Sequence, residues 1–401
     1  GTEGPVAIYD PLGLAAPFAE IHDCGALNLG GVFVQDIERI GEIVFGQTTQ
    51  PVTDLSQSGA RTVFIPGFDT ERVAEHISHL LPKGAELVTL DQVRLEDEMV
   101  TNKRRYLKPI NFATNFAFFR DGEGHHTRVV SANYWAGYGA KNVWMWCCLF
   151  DEDGQVLIEW REDLPSGVGS VVIDSREVRE RFDLGAFTGQ LFLHAINASG
   201  HDVVKYALDT YGDAPEVLSC THDANAWPSD LYAGLPAPAD GEQVTLWVQN
   251  SHPCVIPAGT IGLNRMGDDT IVRLDRELPA FGSYALDVAE LLPDLAWPEQ
   301  IEIQAGKHFV RPRYEIANAK TGRSRISHPN VERVDLKTNP KIAELSNLLG
   351  KSYILPAPVL PMAEFSSLAL PTPMSTAQEN LPLALAVYNP DGQEVARHRF
   401  G

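Results

Sequence analysis

The chain has 401 residues, 44% of them apolar, with 32 Lys plus Arg against 53 Asp plus Glu and a net charge of -21. That length suits two or three domains with cores of their own, and the charge repels phosphate backbones and anionic membranes, so nucleic acid is not an expected partner. No apolar run approaches the roughly 18 residues of a membrane span, and the N-terminus "GTEGPVAIYD" has neither a basic start nor an apolar h-region.

The absence of an initiator Met is in keeping with a trimmed or processed form. Five cysteines without a CxxC pair, two of them adjacent at Cys147 and Cys148, fit a reducing compartment better than a disulfide framework. With no visible signal peptide, this points to a cytoplasmic location.

Residues 1–83 read as a mixed segment with one helix. From Asp69 to Leu81 an Asp cap precedes Val73, Ile77 and Leu80 at helical spacing, and Pro82 follows. A region 84–235 then reads as β-rich. "GAELVTLD" (84–91) leads to a hairpin, "FAFFRDGEGHHTRVVSANYW", that closes at Ser131. "NYWAGYGAKN" (133–142) sets Tyr134, Trp135 and Tyr138 among glycines and amides, a composition that suits stacking of ring ligands such as sugars, or filling of space between modules. In "VWMWCCLF" both strand faces are apolar, so both should be covered, with Cys147 and Cys148 as small core residues.

The acidic stretch from Asp151 to Glu162 has calcium-loop spacing at its first, third and twelfth positions. Its fifth position is Gln155, and Val156 stands at the sixth, where the sharp turn requires Gly. A chain reversal is expected, not an ion cage.

The segment beginning at Leu149 recurs at Leu263. Leu164-Pro165 lies over Leu278-Pro279 and Asp174 over Asp287, while Asn133 and Asn250 hold equivalent upstream places. Asp174 with Glu177 and Asp287 with Glu290 have the spacing of a helix N-cap. A second hairpin follows each copy, closing at Ser219 and at Ser327. The second repeat is placed at 236–338. The remainder, 339–401, is read as a helix (Asn339 to Gly350) and a partial third repeat, "LALAVYNPDGQEVARHRFG".

These patterns predict a mainly β fold of tandem immunoglobulin-like β-sandwich repeats with a few short helices. Two arrangements of the last hairpin follow: pairing of C-terminal with N-terminal segments to close the molecule, or packing on the preceding repeat.

No motif carries a mechanism on its own. The candidates are loops after Ser131, Ser219 and Ser327: Asn133, Tyr134 and Trp135; His222, Asp223, Asn225 and Trp227; His252 of "NSHPC", beside Cys254; and His328. If the repeats share an axis, Tyr134, His222 and His328 surround one pocket. The leading expectation is a non-catalytic protein that binds a small molecule or a protein partner through these loops. The alternative is a hydrolase or lyase, metal-dependent or not, with His222 as general base beside Asp223 in a site between repeats. No metal or other cofactor is assigned. A metal at His125 and His126 would need a partner from elsewhere, such as His22 or His222.

Overall fold

The structure is a computed structural model that describes residues 4–223, 229–306, 308, 312–331, 357–369 and 383–400. In it, β1 (Val6–Tyr9), β2 (Leu29–Val34), β3 (Ile43–Val44), β4 (Gln47–Pro51), β5 (Thr62–Ile65) and β6 (Glu86–Thr89) form a sheet of order β3-β4-β2-β1-β5-β6. All neighbours are parallel except β3 with β4. Helix α1 (Ala15–Ile21) brings Ala15 against Ile8 and Val32 on one face. Helix α2 (Glu71–Ile77) brings Ile77 to the other face, with Tyr9, Phe33 and Val63.

The protein is therefore a mixed α/β structure dominated by β-sheets, and the expectation of a mainly β chain is corrected to that extent. The physical reason is shortness. Strands of four residues have no readable alternation, and helices of seven residues barely establish a helical period. The helix expected at Asp69–Leu81 is present as α2 continued by a 3-10 turn, Ser78–Leu80.

Two antiparallel β-units follow. The first contains β7 (Ala113–Gly122), β8 (His125–Ala132), β9 (Trp144–Phe150), β10 (Val156–Asp163), β11 (Ser170–Asp174), α3 (Ser175–Arg181), β12 (Phe187–Ile196), β13 (Tyr206–Gly212) and β14 (Leu218–Asp223). The second contains β15 (Leu231–Pro236), β16 (Glu242–Gln249), β17 (Gly262–Arg265), β18 (Val272–Arg273), β19 (Ser283–Asp287), α4 (Val288–Leu291), β20 (Gln300–Gln304), β21 (Arg313–Asn318), β22 (Arg323–Ser327) and β23 (Asn330–Val331).

Pairing follows one order in both. The run β10-β9-β12-β7 matches β18-β17-β20-β15, and β11-β8-β13-β14 matches β19-β16-β21-β22. In the first unit the β7–β8 hairpin joins the two runs into one eight-stranded sheet; in the second they stay separate.

Single hydrogen bonds repeat as well. The Asn133 amide nitrogen of the backbone donates to Gly169 O (2.9 Å) and its Nδ2 to Pro165 O (2.7 Å). Asn250 donates in the same way to Gly282 O (2.8 Å) and Pro279 O (2.9 Å). Asp174 and Asp287 each accept a 3.0 Å bond from the backbone N–H two residues on, capping α3 and α4.

Asn250 is fully buried and its Nδ2 also reaches Cys254 O at 2.7 Å. Asn250→Ala is therefore expected to lower stability by about 2 kcal/mol, since the turn loses two hydrogen bonds from a buried side chain. A shift in urea midpoint checks this, and an unchanged midpoint would remove the staple from the account.

Strand β9 lies between β10 and β12 with Cys147 and Cys148 buried, as both of its apolar faces required. The acidic tip after it is a turn. Asp151 Oδ1 accepts from Asp153 N (3.0 Å) and Gln155 N (2.8 Å), so its carboxylate is consumed locally. This tip is wedged into the second unit: Ser283 N donates to Glu152 O (2.9 Å), and the Phe150 and Phe281 rings stack at 4.6 Å. Gln190 Nε2 reaches Asn250 O (2.8 Å) and Phe281 O (2.5 Å) across the same joint. Nearby, Arg120 forks onto both oxygens of Glu315 (3.0 and 3.1 Å), and Trp247 of the second unit completes the first unit's core.

The closing pair is β24 (Leu383–Tyr388) with β25 (Glu394–Phe400), a hairpin that pairs only with itself among the described strands. Terminal closure is thus not found there: β1 is interior to the parallel sheet, "GAELVTLD" supplies β6, and β7–β8 opens the first unit. Strand β15 also spans the expected boundary at 235/236. The helix expected at 339–350 lies outside the described residues. No described helix is long and apolar enough to cross a membrane.

Candidate binding cleft

Most aromatic and amide side chains of the 133–142 stretch are used internally. Asn133 caps a 3-10 turn, Tyr134–Tyr138, and is almost fully buried. Trp135 is completely buried and its indole N–H donates to His201 O (2.9 Å). The Tyr134 hydroxyl donates to Val203 O (2.6 Å) and accepts from Lys205 N (2.9 Å), and burial pushes its phenol up to about 12. These groups hold the loop on the chain before β13.

The predicted shared pocket is therefore only partly assembled. His222 and His328 do meet, with ring centroids 4.9 Å apart and edge to face, and His328 Nδ1 lies 2.5 Å from Thr221 Oγ1. Strand alternation turns His222 outward and Asp223 inward. There Asp223 Oδ2 accepts from Arg313 Nη2 (3.0 Å), whose guanidinium also meets the Tyr206 hydroxyl at 3.0 Å. Tyr134 is committed to its own backbone contacts, because the 3-10 turn curls it back over Val203. His252 lies elsewhere, its ring 6.3 Å from that of His308; burial, then the neighbouring His252, lowers the His308 pKa. Asn225 and Trp227 lie outside the described residues.

His126 is buried with both ring nitrogens engaged: Nδ1 is 3.2 Å from Asp121 Oδ2, and Nε2 is 3.3 Å from Asp213 Oδ1 and 2.6 Å from Arg176 Nη2. His125 instead sets Nδ1 3.0 Å from Glu123 O. Among the described residues no group of three His, Cys, Asp or Glu side chains is placed to hold a metal ion.

The 133–142 stretch contributes through its last residue. Asn142 lines a cleft of about 450 Å³ with Asn197, Trp144 and Arg161 of the first unit and with Asp97, Glu98, Val100 and Lys103 of the segment that follows the parallel sheet. Asn142 and Asn197 both adopt positive φ (53° and 62°), a conformation that Asn tolerates better than most residues. Asn197 Nδ2 donates to Asn142 O (2.9 Å), which ties the two loops together. The Arg161 guanidinium lies 4.5 Å over the Trp144 ring and is anchored by Asp163 at 2.7 Å. Asp97 accepts from Arg94 at 3.4 Å.

The lining thus carries two carboxylates, two cations, two amides and one indole, a set that hydrogen-bonds in both directions while remaining neutral in sum. Nothing in the sequence marks Asp97, Glu98, Lys103 or Arg161, which are surface charges until the segment after β6 folds against the first unit. No family model and no curated protein matches the chain.

Proposed function

We propose that the protein is a non-catalytic binding protein whose small, uncharged, polyhydroxylated ligand enters the cleft between Asp97–Lys103 and the Trp144–Arg161 wall. The observation that carries this reading is the neutral, amide-rich lining, whose donors and acceptors suit the hydroxyl edges of a sugar, with the Arg161 guanidinium laid over Trp144 in its wall. The loop after Ser131 supplies Asn142, in keeping with function carried on loops. We also read the two β-units as copies of one immunoglobulin-like sandwich module; their shared pairing order and the matching Asn133 and Asn250 staples support this. An enzyme using His222 as general base draws no support from β14, where Asp223 turns away from His222 toward Arg313.

Titration calorimetry with D-glucose, D-galactose and N-acetylglucosamine tests the reading. At least one should bind, and Arg161→Ala should weaken it tenfold or more, about 1.4 kcal/mol. Absence of heat with all three at millimolar concentration, or binding indifferent to Arg161→Ala, would remove the cleft as the site.

A further inference from the structure

The tip of the C-terminal hairpin repeats the β9–β10 turn bond for bond. In β9–β10, Asp151 N donates to Gln155 O (3.0 Å) and Gly154 N to Asp151 O (3.1 Å), while Asp151 Oδ1 takes the N–H groups of Asp153 and Gln155. At the C-terminus, Asn389 N donates to Gln393 O (2.9 Å) and Gly392 N to Asn389 O (2.9 Å), while Asn389 Oδ1 accepts from Asp391 N (3.1 Å) and Gln393 N (2.8 Å). The glycines have φ of 76° and 77°. Tyr388 occupies the place of Phe150, and Pro390 that of Glu152.

In the first unit this tip is a plug. Its socket is the Pro279–Ser283 turn of the second unit, where Phe281 stacks on Phe150, Ser283 N binds Glu152 O, and Gly282 and Ser283 are buried. The first unit has the corresponding turn, Pro165–Ser170, stapled by Asn133 as the other is by Asn250. Here the turn is open: Val168 is 70% exposed and Ser170 is exposed. Tyr388 on the spare plug is 56% exposed. An isolated two-stranded hairpin is marginal in water, so this one gains from docking.

We propose that the C-terminal hairpin of one copy of this chain docks its tip into the Pro165–Ser170 turn of a second copy. Pro390 O accepts from Ser170 N, Tyr388 packs on Val168, and Gly392 leaves room for the carbonyl of Gly167. Plug and socket both stand exposed within one chain, and a reciprocal exchange between two copies fills both sockets in a closed two-fold dimer.

Sedimentation equilibrium of the full chain up to about 0.1 mM should show a reversible dimer. Tyr388→Asp on the plug and Val168→Asp on the socket should each weaken it tenfold or more, with the melting temperature of the monomer unchanged. In a Cys220→Ser, Cys254→Ser background, mixing Val168→Cys chains with Tyr388→Cys chains under mild oxidation should give a covalent dimer. A monomer at every concentration, a dimer indifferent to both aspartate variants, or a disulfide that forms only within one doubly substituted chain would overturn the proposal.

Discussion

Glu315→Gln is expected to lower stability at neutral pH by about 3 kcal/mol and to erase part of the protein's sensitivity to acid. Glu315 is buried on β21, where Arg120 of the first unit grips both of its oxygens, Trp247 Nε1 donates at 3.1 Å and Ser324 Oγ at 2.6 Å. Removing one member of a buried pair leaves the other charge uncompensated, which typically costs about 3–5 kcal/mol. Gln retains one acceptor oxygen, which places the estimate at the lower end.

Burial by itself would raise the Glu315 pKa; the Arg120 charge and hydrogen bonds, with those of Ser324 and Trp247, reverse this and hold it below the usual carboxylate range. The sign follows from linkage. A carboxylate with a depressed folded pKa adds stability that is fully present above its unfolded pKa of about 4.3, and that is lost as pH falls through the lower folded value. The gap between wild type and Glu315→Gln should therefore be constant from pH 8 to 5 and narrow below about pH 4. Urea midpoints across that range measure it. A gap under about 1 kcal/mol at pH 7, or one that widens in acid, would mean that this ion pair does not hold the two units together. Replacing both partners, as Arg120→Met with Glu315→Leu, should recover much of the loss, because neither charge is then stranded.

The repeat was legible in the sequence because its markers are residues with local duties. Asp174 and Asp287 cap helices, Asn133 and Asn250 staple Leu-Pro turns, and Asp151 bonds to its own turn. Such duties need particular side chains at fixed spacings, so they survive in both copies. The parallel sheet was not legible, since β1, β5 and β6 are four residues each and what distinguishes a parallel from an antiparallel strand of that length is its neighbour. The cleft was hidden for a related reason. Its walls come from residues as far apart as Asp97 and Asn197, and only the fold of the segment after β6 against the first unit brings them together. The aromatic residues of 133–142 left two alternatives open, because rings that suit a ligand are equally suited to a core, and Trp135 is in one.

Gly154→Ala is expected to cost about 3–4 kcal/mol, an effect out of proportion to one methyl group on a hairpin tip. Two penalties combine. Gly154 sits at φ 76°, where an L residue loses about 1 kcal/mol or more. An added Cβ would also stand 1.9 Å from Ala280 O and 2.9 Å from Gly282 N, backbone atoms that no side-chain rotation can move away. The socket turn must retreat, which breaks the bond from Ser283 N to Glu152 O and parts the Phe150–Phe281 stack. Gly392→Ala separates the two penalties: its φ is 77°, but among the described residues nothing lies within 4 Å of the added Cβ and its hairpin pairs only with itself. At dilutions where the chain is monomeric it should cost no more than the backbone strain, about 1 kcal/mol. Urea unfolding of the two variants side by side decides the matter. Equal losses would show that the strain lies in the turn itself, whereas a large loss confined to Gly154→Ala identifies this glycine as the point of close approach between the two β-units.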